Sequence, residues 1–118
     1  EADDFSWWRK RMEHSAKIYD VIRIDHFIGT VKYYAIPAED SDARNGQWQK
    51  GPGLKLINAI NESIDDKHII AEDLGIKMPE VVEVLEKSGY PGMKVLEFAF
   101  DGNRRNDHFP STFPSFGI

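Results

Sequence analysis

The 118-residue sequence has no cysteine, which excludes disulfide bonds, thiolate metal sites and a cysteine nucleophile. No apolar run approaches the roughly 20 residues that a membrane helix needs, and the acidic opening is unlike a signal peptide. The formal net charge is −5, so no overall positive field exists to hold nucleic acid. These features predict a cytoplasmic protein that binds neither a membrane nor nucleic acid.

Aromatic residues are abundant, with seven Phe, four Tyr and three Trp. Such side chains build apolar cores, and they also stack on flat apolar faces of ligands. The composition, 41% hydrophobic and 30% charged, is ordinary for a globular protein. The length fits one small domain or a piece of a larger one.

The hydrophobic pattern alternates between helical and strand-like periods along the chain. Helices separated by strands favour βαβ units and a parallel sheet, so the sequence predicts an α/β fold with about three parallel strands and intervening helices. The predicted helices cover 5–19, 54–64 and about 79–88, and the predicted strands cover about 21–25, 68–72 and 93–100.

Two connecting regions are less regular. Residues 31–36 have strand-like content after a turn at Gly29, and residues 38–53 are predicted to be a loop. Trp48 lies alone in that loop, either as a cover over the edge of the core or as a platform for a ligand. The tail from Asp101 onward is predicted to be irregular.

Two of the predicted strands end in an acid, Asp25 in the first and Glu72 in the second. Reactive groups of parallel α/β sheets lie at the C-terminal ends of strands, so these acids are expected at one edge. Arg23 shares a strand face with Asp25, and its positive charge would help to hold that acid ionised.

Two acids across a cleft suit the cleavage of glycosidic bonds. In retaining enzymes the two carboxyl groups are about 5–5.5 Å apart, and adjacent strands, about 4.8 Å apart, allow this separation. Asp25 would then attack the sugar carbon, and Glu72 would need surroundings that keep it protonated so that it can donate to the leaving oxygen.

Other interpretations of these acids remain open. An acid at a strand end often caps a helix or forms an ion pair that only stabilises the fold. A metal site could be assembled from oxygen and nitrogen ligands at the same edge, although no tight two-histidine spacing is present. His14 and His108 are interpreted as surface residues. The potential ligands are Asp25, His26, Glu72 and Asp73.

Several motifs, in order along most of the chain, resemble the 4-α-glucanotransferase family, also called amylomaltases or disproportionating enzymes, which is related to the α-amylase superfamily. The motifs are Arg23-Ile24-Asp25-His26-Phe27, Ile36-Pro37-Ala38, Gly51-Pro52-Gly53, Ile70-Ala71-Glu72-Asp73-Leu74-Gly75, Pro91-Gly92-Met93-Lys94-Val95-Leu96 and Phe98-Ala99-Phe100.

The resemblance implies a retaining (β/α)8 TIM barrel that transfers α-1,4-glucan segments between glucan or maltooligosaccharide acceptors, in starch and glycogen metabolism. It assigns Asp25 as the nucleophile and Glu72 as the general acid/base. It places Arg23 beside the nucleophile, His26 and Asp73 facing the sugar, and Trp48 in the region that lines the donor cleft. It implies neither an organic cofactor nor a metal.

Two departures from the family pattern affect these assignments. The first motif continues here as Ile28-Gly29-Thr30, where many members have Arg followed by Gly-Phe. The third acid of the family follows a histidine, whereas this sequence contains no His-Asp pair, and its tail has the reversed pair Asp107-His108. No role is therefore assigned to that pair.

A complete barrel typically has about 250 residues, so residues 1–118 are predicted to be a fragment of a single (β/α)8 catalytic domain. We expect the isolated fragment to be inactive and to associate with itself, because its sheet edges would be open. The alternatives are an inert structural or carbohydrate-binding segment and a related α-glucan hydrolase.

Overall fold

The computed structural model describes residues 3–64, 68–103 and 105–113. Within these ranges, helices are combined with one parallel and one antiparallel pair of strands. The helices are α1 (Ser6–Ala16), α2 (Ile28–Val31), α3 (Leu54–Asn61) and α4 (Pro79–Ser88), with two 3-10 turns at Leu96–Ala99 and Pro110–Thr112. The strands are β1 (Val21–Ile24), β2 (Lys32–Ala35), β3 (Gln47–Lys50) and β4 (His68–Ala71).

The parallel pair consists of β1 and β4, in a register that runs from Val21 opposite His68 to Ile24 opposite Ala71. Backbone pairing continues past the strand ends. The amide of Glu72 donates to the carbonyl of Ile24 at 2.9 Å, and the amide of Phe27 donates to the carbonyl of Glu72 at 2.8 Å. The first two predicted strands are therefore confirmed as parallel neighbours.

The predicted third strand, 93–100, is wrong. Its pairing with β4 is limited to one bridge between Ala71 and Gly92, and Leu96–Ala99 forms a 3-10 turn. Side chains occupy the backbone donors that a ladder would need: Met93 N donates to Asp73 Oδ1 at 2.8 Å and Val95 N to His108 Nδ1 at 3.0 Å. A strand that gives its amides to side chains cannot extend a sheet.

The predicted loop at 38–53 is also corrected. Its last part is strand β3, which pairs antiparallel with β2 and places Trp48 opposite Tyr34. The turn-forming residues at 40–46 connect the two strands of a hairpin, so Trp48, which follows them, lies on a strand. Gly46 lets the Tyr34 ring pack against this connection, since a Cβ at position 46 would lie 2.2 Å from the ring.

The helices follow the predicted pattern. Helix α4 has the predicted bounds, α3 ends three residues early at Asn61, and α1 is shorter than 5–19 at both ends. Among the helices of the described ranges, none combines the length and the apolar composition needed to cross a membrane.

The core lies between the parallel strands and helices α3 and α4. Its fully buried large side chains are Phe27, Ile57 and Ile60. Tyr90 is buried beside Phe27 and donates its hydroxyl to Asn61 Oδ1, and this burial raises the pKa of Tyr90 to about 12. The turn that follows β1 is thus anchored in the core by Phe27.

Candidate active site

Asp25 and Glu72 are each the first residue after a parallel strand. Continuing the observed register by one residue places them opposite each other after two adjacent strands, and neighbouring strands of a sheet lie about 4.8 Å apart. The predicted placement of both acids at one sheet edge is confirmed.

Arg23 and Asp25 form the ion pair expected from strand alternation. Arg23 Nη2 lies 2.6 Å from Asp25 Oδ1, and the two side chains are 50% and 72% exposed. Such an exposed pair contributes less than about 1 kcal/mol to stability. Its consequence is geometric, since it places one carboxylate oxygen of Asp25 against a cation.

Glu72 is half-buried. Its carboxylate connects the turn that follows β1 with the turn that follows β4, at the C-terminal ends of the two strands. Oε2 accepts the amide of His26 and Oε1 accepts the amide of Leu74, both at 2.8 Å. Both oxygens act as acceptors in this arrangement. The predicted acid role therefore requires the proton to occupy a lone pair that these amides leave free.

His26 has a backbone φ of 51°, a left-handed conformation that is uncommon for a residue with a side chain. Its amide is held by Glu72, so the same carboxylate supports this strained turn. The His26 ring lies over Gly29, where a Cβ would come within 2.8 Å of the ring Cδ2. The sequence showed Gly29 only as a turn residue, and its second role depends on packing.

Asp73 is directed towards the next segment of the chain. Its Oδ1 accepts the amide of Met93 at 2.8 Å, and its carboxylate packs against Gly92. Met93 in turn places its sulfur 3.6 Å from Arg23 Nη1. Sequence reasoning missed Met93, because the residue was assigned to a strand and no sequence signal marks a thioether as a partner of arginine.

Trp48 is not joined to the acids by any hydrogen bond or ring contact within the described ranges. Its aromatic partner is Tyr34, with ring centroids 5.4 Å apart, and 43% of Trp48 is exposed. It is therefore available to a ligand on the hairpin, and its role in binding substrate stays a prediction.

The histidines away from the sheet edge differ from each other. His14 is exposed, as predicted, whereas His108 is half-buried and accepts the amide of Val95. Asp107 forms an ion pair with Lys77. In the part of the chain that the structure describes, no group of three or more His, Cys, Asp or Glu side chains is arranged to hold a metal ion.

A family model described as 4-alpha-glucanotransferase matches residues 1–116. The chain belongs to the 4-α-glucanotransferase family. A 4-alpha-glucanotransferase of Streptococcus pneumoniae is 45% identical over all 118 residues, and one of Thermus thermophilus is 42% identical over 117. The chain covers 23% of each of these two relatives, so it spans about a quarter of the length of the curated proteins it matches.

Solved structures of amylomaltases share the fold of this chain. The fold matches an amylomaltase from Streptococcus agalactiae, solved in complex with acarbose, with a TM-score of 0.91 and 37% identity over 99% of this chain and 24% of that one. An amylomaltase from Corynebacterium glutamicum matches with a TM-score of 0.64 over 84% of this chain and 14% of its own. Its 22% identity supports the fold alone.

Proposed function

We propose that this chain carries the nucleophile and the general acid/base of a retaining 4-α-glucanotransferase. The proposal rests on the position of the two acids at the C-terminal ends of adjacent parallel strands, Asp25 after β1 and Glu72 after β4. Arg23 binds Asp25 there at 2.6 Å. The proposed setting is a (β/α)8 barrel. The parallel β1–β4 pair and the single parallel bridge between Ala71 and Gly92 support it.

In the proposed first step, a carboxylate oxygen of Asp25 attacks the anomeric carbon of the donor glucan. The bond to the leaving oxygen breaks while Glu72 supplies its proton, which gives a covalent glycosyl ester on Asp25. In the second step, the hydroxyl of an acceptor glucan attacks this ester and gives its proton to Glu72. The net change is the transfer of an α-1,4-glucan segment, with both acids restored.

Substrate contacts are proposed for Arg23, His26, Asp73 and Trp48, with α-1,4-glucans and maltooligosaccharides as partners. The exposed Trp48 ring and the exposed His26 side chain are available for such contacts. The acarbose complex of the Streptococcus agalactiae relative supports a sugar ligand. A cytoplasmic location stays a prediction, and one relative from Arabidopsis thaliana is named as chloroplastic/amyloplastic.

We also propose that the 118-residue chain alone is inactive and associates with itself. Strand β1 pairs with β4 on one side and has no strand partner on its other side within the described ranges. Exposed apolar side chains, including Tyr19 and Val21, lie beside that open edge. Clear turnover by the isolated chain, or a clean monomer in light scattering, would contradict this part.

The test is Asp25→Asn in a full-length enzyme that carries this segment, assayed by disproportionation of maltotriose. We expect transfer to fall by about a thousandfold or more, because the amide is a poor nucleophile. Asp20→Asn, the same change at the opposite end of β1, is the matched control and should leave transfer within about twofold of wild type. Retained transfer in folded Asp25→Asn would support an inert structural or carbohydrate-binding segment. If the wild-type enzyme released sugar to water without transferring it to an acceptor, a hydrolase would be supported.

A further inference from the structure

Arg23 is held on two sides, although half of its side chain is exposed. Nη2 binds Asp25 Oδ1 at 2.6 Å, and Nη1 donates to the sulfur of Met93 at 3.6 Å. An exposed ion pair alone does not fix a long arginine side chain, whose rotamer entropy is about 2 kcal/mol. The guanidinium is a rigid planar fork, so an anchor at Nη1 also sets the direction of Nη2.

Met93 can act as this anchor because its own backbone is fixed. Its amide donates to Asp73 Oδ1 at 2.8 Å, and the preceding Gly92 forms the bridge to Ala71 of β4. Gly92 has no Cβ, and one there would lie 2.7 Å from Asp73 Oδ1. The absence of a side chain at Gly92 therefore lets the Asp73 carboxylate approach the backbone that carries Met93.

We propose that Met93 is a positioning residue for Asp25, acting through Arg23. Its thioether restrains the Arg23 guanidinium, which in turn keeps the Asp25 carboxylate in one orientation at the sheet edge. Asp73 holds the backbone of Met93 through its amide, and Gly92 leaves the room that the Asp73 carboxylate needs. The catalytic part of this inference rests on the proposed function of Asp25, whereas the restraint on Arg23 does not.

The kinetic test is Met93→Leu in a full-length enzyme that carries this segment. Leucine keeps the apolar volume and removes the acceptor, so we expect kcat to fall about three- to tenfold while KM changes less than about twofold. Met78→Leu, the same change at the start of α4, should leave both constants within about twofold of wild type. Met93→Gln restores an acceptor and should recover most of kcat. A merely structural role predicts equal losses for the Leu and Gln variants, which would overturn the proposal.

A second readout does not depend on activity. In the same full-length enzyme, NMR should show slow rotation of the Arg23 guanidinium in the wild type and faster rotation in Met93→Leu, with wild-type behaviour in Met78→Leu. Unchanged Arg23 rotation in Met93→Leu would overturn the restraint. An active Asp25→Asn enzyme would overturn the proposed function instead, and a dead Asp25→Asn beside a fully active Met93→Leu would overturn only the positioning role.

Discussion

The sheet edge that carries Asp25 and Glu72 and the segment from Gly92 to Phe113 are held by different kinds of interaction. At the edge, a parallel backbone ladder continues past both strands, and Phe27 is fully buried directly beneath it. The later segment is held mainly by side chains bound to backbone groups: Asp73 to Met93, His108 to Val95, and Asn106 to Phe98. A ladder backed by a core is cooperative, whereas single polar contacts can be lost one at a time.

The largest expected effect comes from the core beneath the edge. Phe27→Ala removes a fully buried aromatic ring, and we expect a loss of about 3 to 5 kcal/mol in the free energy of unfolding. Phe100→Ala, the matched change in the later segment, removes a ring that is 77% exposed and should cost less than about 0.5 kcal/mol. Urea unfolding of both variants measures the difference, and similar losses would contradict the contrast between the two regions.

Alkaline pH should weaken the same core. Burial raises the pKa of Tyr90 to about 12 from its ordinary value of 10.0, so the neutral phenol is favoured in the fold. The contribution of this raised pKa to the free energy of unfolding, about 2 to 3 kcal/mol, is therefore fully present below about pH 10. It is lost as the pH rises through about 12. Urea titrations at a series of pH values should show this loss in the wild type. If Tyr90→Phe lost the same stability over that range, another group would be responsible.

Glu72 also has a structural role at the edge, which can be measured apart from catalysis. Glu72→Ala leaves the amides of His26 and Leu74 without their acceptor, and we expect a cost of about 1 to 2 kcal/mol. Glu72→Gln keeps one carbonyl oxygen and should cost about half as much. Glu97→Ala, on an exposed 3-10 turn, is the control. If thermal unfolding is unchanged by Glu72→Ala, the carboxylate does not join the two turns.

The smallest expected effect is in the later segment. His108→Ala removes the acceptor for Val95 N, and we expect it to cost about 1 kcal/mol or less. Hydrogen exchange at Val95 should become faster by about tenfold or less, while amides of β1 and β4 keep their protection. His14→Ala, at an exposed position, should change neither. Faster exchange throughout β1 and β4 would show that the two regions unfold together.

The residues that could be predicted from the sequence are those governed by periodic burial. The runs at 21–25 and 68–72 have β-branched side chains that need a core, and their parallel pairing then places Asp25 and Glu72 at one edge. The alternation of side chains also correctly predicted the Arg23–Asp25 contact. Helix α4 has a proline in its first turn and a glycine after its end, and its bounds were correct.

The failures arise where a single polar side chain overrides local preference. The run from Met93 to Phe100 has strand-like composition, but Asp73 and His108 take the amides that pairing would use. These partners lie 20 and 13 residues away from the amides they bind, so no local pattern contains them. The hairpin strand β3 was missed because its neighbours are turn residues, and its burial is too low to impose a hydrophobic period.

The central claim is that Asp25 forms a covalent bond to the sugar while Glu72 handles the proton. The most direct measurement is mass spectrometry of a full-length enzyme carrying this segment after treatment with a fluorinated glucosyl fluoride that slows the second step. We predict that one glucosyl unit is attached to the peptide containing Asp25, and that Asp25→Asn acquires none. Attachment to Glu72 or to another residue, or turnover without any covalent species, would contradict the account.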